Sequence, residues 1–255
     1  MKKRCFSMVL VLCLLLLLPA IVLIAEWRMP AFYSESYYAA LPKMVAHLKQ
    51  AEGKRLIVVG GSSVAFGMDT AVAFCQAGMP FSAFQVLDGT NADRAAELVQ
   101  SSDFLVLAGG HVPTQNSFFR QIGLREILRD FQGTVMGISA GSMNLADMAY
   151  IQPEEEGEGV DPDFVRFAPG LGLTDVNILP HYQKVKDSIL DGQRLFEDVT
   201  YPDSFGNDFF ALPDGSYFYQ DEEGLLLCGE GYRLHDGILE QLTTNGQVLD
   251  MTELD

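Results

Sequence analysis

Thr134-Val135-Met136-Gly137-Ile138-Ser139-Ala140-Gly141-Ser142 is the stretch on which the fold turns. A short apolar run enters it, and the residues from Ser142 to Tyr150 read as a helix. A strand turning sharply into a helix around a serine, with a glycine two residues to either side, is the nucleophile-elbow pattern. The glycines relieve crowding at a strained turn, and the hydroxyl is pushed out above the sheet. The free N–H groups of the following helix point at the same place. Gly-x-Ser-x-Gly also occurs at sites that only bind ligands, so catalysis must be argued from the partners of the serine.

Working outward, short apolar runs alternate with helix-like segments. Leu56-Ile57-Val58-Val59 precedes Gly60-Gly61, Phe84-Gln85-Val86-Leu87 precedes Asp88-Gly89, and Phe104-Leu105-Val106-Leu107 leads to Gly109-Gly110. Val176-Asn177-Ile178-Leu179 is a further strand candidate. Ala92–Gln100, Ile122–Phe131 and Val185–Asp198 read as helices. Continuous rather than alternating apolar runs suit strands buried on both faces, which predicts an α/β fold with a mainly parallel, helix-covered sheet. From Phe209 the pattern changes to closely spaced strands and turns: Phe209–Leu212, Tyr217–Gln220, Leu225–Leu227, Tyr232–Leu234 and Ile238–Leu242. This predicts a β-rich, antiparallel C-terminal portion.

The N-terminus carries a different signal. Lys2-Lys3-Arg4 is followed by Cys5 to Ala25, twenty-one residues without charge. At about 1.5 Å per residue that length spans a hydrocarbon core of roughly 30 Å. Residues 1–29 therefore read as a signal anchor forming one transmembrane helix, with Trp27 at headgroup level and the basic cluster held in the cytoplasm. Cleavage as a signal peptide, which would release a secreted protein, is the competing reading. Residues 30–54 form a juxtamembrane segment, helical up to Gln50, and residues 55–255 a single α/β domain. The expected location is the cell membrane, single-pass, with that domain extracytoplasmic.

The formal charge of −17 among 255 residues excludes nucleic acid and an anionic lipid surface as partners of this domain. The sequence leaves open whether Cys75 and Cys228 form a disulfide or stay as free thiols. Glu154, Glu155, Glu156, Glu158 and Asp161 lie between Pro153 and Pro162, and Asp163 follows directly. Their spacing fits no EF-hand, and a solvated loop is expected rather than a calcium site.

A serine hydroxyl needs a base, and four histidines are available. His47 lies in the juxtamembrane segment. His111 and His181 each follow a strand end, on the carboxyl edge where sites in open α/β sheets gather. His235 stands in the β-rich tail before Asp236-Gly237. Asp214, in Leu212-Pro213-Asp214-Gly215, is the leading acid, although Pro-Asp-Gly is also a good turn. The N–H groups of Gly110 and Ala140 are candidates for an oxyanion hole. The histidines do not pair at ligand spacing with each other or with the two cysteines, so no metal and no cofactor are expected.

Gly-Ile-Ser-Ala-Gly-Ser, the earlier Ala-Gly-Gly, Leu-Pro-His-Tyr and Leu-Pro-Asp-Gly occur in the order seen in the serine peptidases related to dipeptidase E and cyanophycinase, which the chain resembles from about Phe84 to its C-terminus. The resemblance implies a flavodoxin-like, doubly wound sheet akin to class I glutamine amidotransferases, with serine where those enzymes place cysteine. It implies Ser139 as nucleophile, His181 as base and Asp214 as orienting acid, with Gly110 and Ala140 supplying the oxyanion hole. It further implies a small peptide substrate. Dipeptidase E prefers an N-terminal aspartate, which needs a basic pocket, and Lys184, Lys186 and Arg194 are the nominal cations.

The chain departs from the family in two places. His111-Val112-Pro113-Thr114-Gln115-Asn116 is an unusual continuation of the Gly-rich strand end. Residues 55–82 are remodelled, and Val58 to Gly67 resembles the first block of SGNH-type hydrolases, with Ser63 as a second nucleophile candidate. The Asp-x-x-His block of those enzymes is missing, which makes Ser63 structural.

Three functions are thus in view. The leading one is a membrane-anchored serine hydrolase that cleaves peptide or isopeptide-like amide bonds through an acyl-enzyme. A catalytically inactive binding or sensing domain on the same fold is the second. An α/β-hydrolase-type esterase using Ser139, Asp214 and His235 is the third. Loss of labelling in a His181→Ala or a His235→Ala variant separates the first from the third.

Overall fold

The computed structural model describes residues 41–47, 55–59 and 64–254. The expected anchor over 1–29, much of the 30–54 segment and Ser63 lie outside them. Among the described residues, no helix is long and apolar enough to cross a membrane.

The chain runs through α1 (Leu41–His47), β1 (Arg55–Val59), α2 (Val64–Gln76), β2 (Ala83–Leu87), α3 (Ala95–Gln100), β3 (Phe104–Leu107), α4 (Val112–Gln121), α5 (Leu124–Leu128) and β4 (Thr134–Gly137). The four strands pair in parallel in the order β2-β1-β3-β4. β3 shows why an uninterrupted apolar run adopts this position. Successive side chains of a strand point to opposite faces. Phe104 and Val106 pack with Phe74, Met79 and Phe81 on one side, while Leu105 and Leu107 pack with Val99, Phe119 and Leu124 on the other. All four β3 residues are fully buried, each worth roughly 1.5–3 kcal/mol of apolar transfer.

The helix expected over Ile122–Phe131 is shortened to α5, and a helix that was not expected, α4, precedes it. α4 starts at Val112 with Pro113 in its first turn, and α5 begins only after Gly123. Gly123 sits at φ 65°, a left-handed turn that glycine makes without steric cost and that breaks the helix there.

Beyond the elbow come α6 (Ala140–Met143), β5 (Met148–Tyr150), β6 (Phe167–Pro169) and β7 (Asn177–Leu179). The helix expected over Ser142–Tyr150 thus stops at Met143. Its last three residues pair with β6 as a strand, because Tyr150 stacks on Phe209 at 4.2 Å between centroids and lies against Phe167.

The helix expected over Val185–Asp198 is also corrected. It is replaced by α7 (Tyr182–Val185), a hairpin of β8 (Ile189–Leu190) and β9 (Gln193–Arg194), a π-helical turn over Leu195–Thr200, and α8 (Tyr201–Asp203). Asp191 and Gly192 join the hairpin at φ 54° and 80°. Two successive positive φ values are what a two-residue Asp-Gly hairpin loop requires.

The remaining strands are β10 (Asp208–Ala211), β11 (Tyr217–Asp221), β12 (Gly224–Cys228), β13 (Gly231–His235), β14 (Ile238–Thr243) and β15 (Val248–Asp250). They form the sheets β14-β13-β10-β7 and β11-β12-β15, antiparallel throughout except for β7 with β10. The fold is therefore mixed α/β, with parallel strands first and the expected antiparallel tail after them. Cys75 is exposed and Cys228 buried, and no disulfide joins them.

Candidate active site

The elbow is built by sterics. A Cβ on Gly137 would stand 2.6 Å from Ser142 N and Cα, and one on Gly141 would stand 2.2 Å from the Leu107 carbonyl oxygen. No side chain fits at either place, which gives the two motif glycines a mechanical reason. Ser139 between them sits at φ 52°, ψ −117°, a strained conformation costing roughly 1–3 kcal/mol for a non-glycine residue. Ala140 opens α6, so its N–H finds no acceptor within the helix. A Cβ on Gly109 would lie 3.4 Å from Ser139 Cβ, so this strand end passes close by the serine. Gly110, next along, holds φ 143°, which L side chains rarely adopt.

Parallel pairing of β7 with β10 brings the other two candidates together. Leu179 is in register with Ala211, and Leu212 N–H donates to the Leu179 carbonyl at 2.9 Å. His181 lies two residues past Leu179 and Asp214 three past Ala211, so both leave the sheet at one edge. His181 is left-handed at φ 59°, ψ 30°, and caps the start of α7.

His181 Nε2 lies 2.9 Å from Ser139 Oγ, and Nδ1 lies 2.5 Å from Asp214 Oδ1. A carboxylate can only accept, so Nδ1 carries the proton toward Asp214 and Nε2 is left as an acceptor facing the hydroxyl. Lys184, one helical turn after His181, places Nζ 2.7 Å from Asp214 Oδ2. The Asp214 side chain is only 9% exposed. Burial by itself would raise its carboxyl pKa. Hydrogen bonds from Lys184 and His181, with the charge of the Lys184 ammonium, outweigh that and hold it below the ordinary 3.8.

The other sequence candidates go elsewhere. His111 precedes α4, with Nδ1 2.8 Å from Thr114 Oγ1 and Nε2 2.7 Å from Glu158 Oε1. His235 lies 3.2 Å from the Asn207 carbonyl and 3.1 Å from Asp208, so the Ser139–Asp214–His235 reading does not describe this geometry. Arg194 pairs with Asp198, and Lys186 is exposed. The acidic run is mostly exposed but is not merely solvated. Glu158 ties its own turn to His111 and accepts the Glu154 and Glu155 N–H groups, while Asp191 accepts those of Gly157 and Gly159. His111, Glu155 and Glu158 bring ligand-type atoms within 4.8 Å of one another. The two closest of these residues already bond each other.

A buried amide network was not anticipated. Asn144 Nδ2 donates to Gln115 Oε1 at 3.1 Å and to the Ala140 carbonyl, Asn116 Nδ2 donates to Asn144 Oδ1 at 2.9 Å, and Gln115 Nε2 donates to the Ala108 carbonyl. The unusual Gln115-Asn116 pair thus braces α6 against α4 and the β3 end. Its only sequence signal is two neutral amides in the first half of a helix whose buried face is otherwise apolar.

The β4 edge and the β7 edge do not pair. Between them opens a cavity of about 620 Å³, lined by Ser139, His181 and Asp214 and by apolar residues such as Met136, Ile178 and Leu225.

The sequence profile of peptidase family S51 matches residues 40–225. No curated protein gives a sequence match. The crystal structure of a protein from Listeria monocytogenes EGD-e, described as a candidate peptidase E, superposes with a TM-score of 0.54 at 13% identity, over 81% of this chain and 95% of that one. At that identity the likeness concerns the fold.

Proposed function

This chain belongs to peptidase family S51 and is a serine-type peptidase, and on that premise we propose that Ser139, His181 and Asp214 are its catalytic triad. The observation that carries the assignment is the unbroken chain of hydrogen bonds from Ser139 Oγ through the His181 imidazole to Asp214. In this reading Ser139 Oγ attacks the amide carbonyl as His181 Nε2 takes its proton. Asp214 holds the imidazole in the accepting tautomer and stabilises its protonated form. The N–H groups of Gly110 and Ala140 receive the oxyanion, supported by the nearness of Gly109 to the serine and by the place of Ala140 at the start of α6. His181 then protonates the leaving amine, and water attacking the ester carbonyl releases the acyl group by the same route. The left-handed backbone at both Ser139 and His181 fits a site where strain is retained for positioning.

The substrate class in this proposal is a small peptide or an isopeptide-like amide, handled on a flavodoxin-like, doubly wound core. The proposal also keeps the enzyme at the membrane, single-pass and with its catalytic part extracytoplasmic. That rests on the charge pattern of residues 2–25 alone.

Fluorophosphonate labelling tests the triad. Ser139 is expected to be modified in the folded protein, with labelling lost in Ser139→Ala and His181→Ala and retained in His235→Ala. Modification persisting in Ser139→Ala, or lost only in His235→Ala, refutes the assignment. Protease accessibility of the domain in intact cells tests the location.

A further inference from the structure

The cavity beside Ser139 has a chemical character that narrows the substrate. Among the described residues, none of those lining it is lysine or arginine. The carboxylates that line it are Asp214, which is paired with Lys184, and the exposed Asp221 and Glu222. Most of the remaining wall is apolar, with Met136 from β4, Val176 just before β7, Ile178 within it and Leu225 from β12, interrupted by polar groups such as Thr174, Ser216 and Gln220.

The three cations that could have supplied a basic pocket are placed otherwise. Lys184 Nζ is 2.7 Å from Asp214 Oδ2 and thus engaged with the triad. Arg194 is bound through Nε and Nη2 to both oxygens of Asp198. Lys186 does not line the cavity. A carboxylate entering here would lose its water against a mostly apolar wall in which no described residue is a lysine or arginine, and an uncompensated desolvated charge is costly. An aliphatic or aromatic side chain would instead exchange water for apolar walls in a space of ordinary ligand-pocket size.

We propose that this cavity receives an uncharged, apolar side chain of the residue that contributes the scissile carbonyl, and that the enzyme rejects aspartyl and glutamyl residues at that position. The proposal rests on Ser139 being the nucleophile. Lys184, positioned on Asp214, then serves the triad and not the substrate.

The test compares peptides that differ only at that residue, carrying Leu, Phe, Asp or Lys, with fluorophosphonate labelling of Ser139 measured on the same preparation. The expected result is labelled Ser139 and kcat/KM for Leu or Phe at least about 100-fold above Asp, a factor set by one desolvated, unpaired carboxylate. Labelled Ser139 with Asp or Lys preferred overturns the proposal while leaving the nucleophile assignment intact. Failure of both labelling and hydrolysis overturns the assignment beneath it, and the proposal with it. Placing a cation in the wall by Ile178→Lys should shift the Asp-to-Leu ratio by at least about tenfold toward Asp, since the change swaps apolar contact for an opposite charge. Should that variant not fold, inhibition of the unaltered enzyme by peptidyl boronates bearing Leu or Asp side chains reads the same preference. Tighter binding of the Asp boronate would sink the idea.

Discussion

Replacing Asp214 with Asn should do more than remove a charge, and Lys184 is the reason. The asparagine amide has one accepting and one donating end, where the carboxylate has two acceptors. The Lys184 ammonium, 2.7 Å from the position of Oδ2, can only donate and so draws the amide oxygen to itself. The NH₂ group then faces His181 Nδ1, 2.5 Å from the site of Oδ1, and requires that nitrogen to accept. The imidazole proton moves to Nε2, where it blocks transfer from Ser139 Oγ. Loss of the productive tautomer costs on the order of 10⁴-fold in kcat, about 5.4 kcal/mol in the barrier. Lys184→Met in the same chain removes the group that orients the amide, and a hydrogen bond from a half-exposed ammonium is worth about 1 kcal/mol. The double variant Asp214→Asn/Lys184→Met should therefore be faster than Asp214→Asn by about fivefold. Lys184→Met alone should slow the enzyme by less than about tenfold, because Lys184 is half exposed and its pairing is screened. Peptide hydrolysis and fluorophosphonate acylation rates, with circular dichroism as a control for folding, measure all three. Asp214→Asn retaining activity within tenfold of the parent, or a double variant no faster than the single one, would refute the reasoning.

Further consequences concern stability. The Asp214 carboxyl is held below its usual 3.8, so its contribution to folding is present above that value and lost as pH falls through the folded value. The Tm of Asp214→Asn should accordingly lie below that of the parent at neutral pH, with the gap closing below pH 3.8; a gap independent of pH would contradict the shift. Gly141→Ala puts a methyl group against the Leu107 carbonyl and should cost about 3 kcal/mol or more by urea denaturation, or prevent folding, whereas a neutral result would mean that the elbow can relax. Asn144→Leu strands Gln115 Oε1 and Asn116 Nδ2 and should cost about 2–4 kcal/mol by the same assay. Tyr150→Phe removes one hydrogen bond, 2.8 Å to Asp203, and should cost about 1–2 kcal/mol; a Tm unchanged within error would assign that hydroxyl no net role.

What could be read from residues alone was whatever has a local cause. The β3 run is apolar at every position because both its faces are covered, and that requirement is written in four consecutive residues. The elbow is legible for the same reason, since Gly137 and Gly141 answer contacts made within the turn and with the adjacent strand end. Ser139, His181 and Asp214 could be nominated because each follows a strand and their order resembles a family, while their meeting depends on the register of β7 against β10. The Asp191-Gly192 dipeptide suits a hairpin, but the apolar residues around it imitate the helix that was expected there. The rest depends on partners far apart in the chain. Helix α6 ends at Met143 because Tyr150 has Phe209 to stack on, and Gln115 and Asn116 are structural because Asn144 stands opposite them. Lys184 looked like a cation for the substrate until its ammonium proved to rest on Asp214, thirty residues away, and the charge of the cavity followed from that. Sequence determined which groups could react. Only the tertiary structure decided which groups they meet, because pairings across such separations leave no periodicity for a reader of the chain to find.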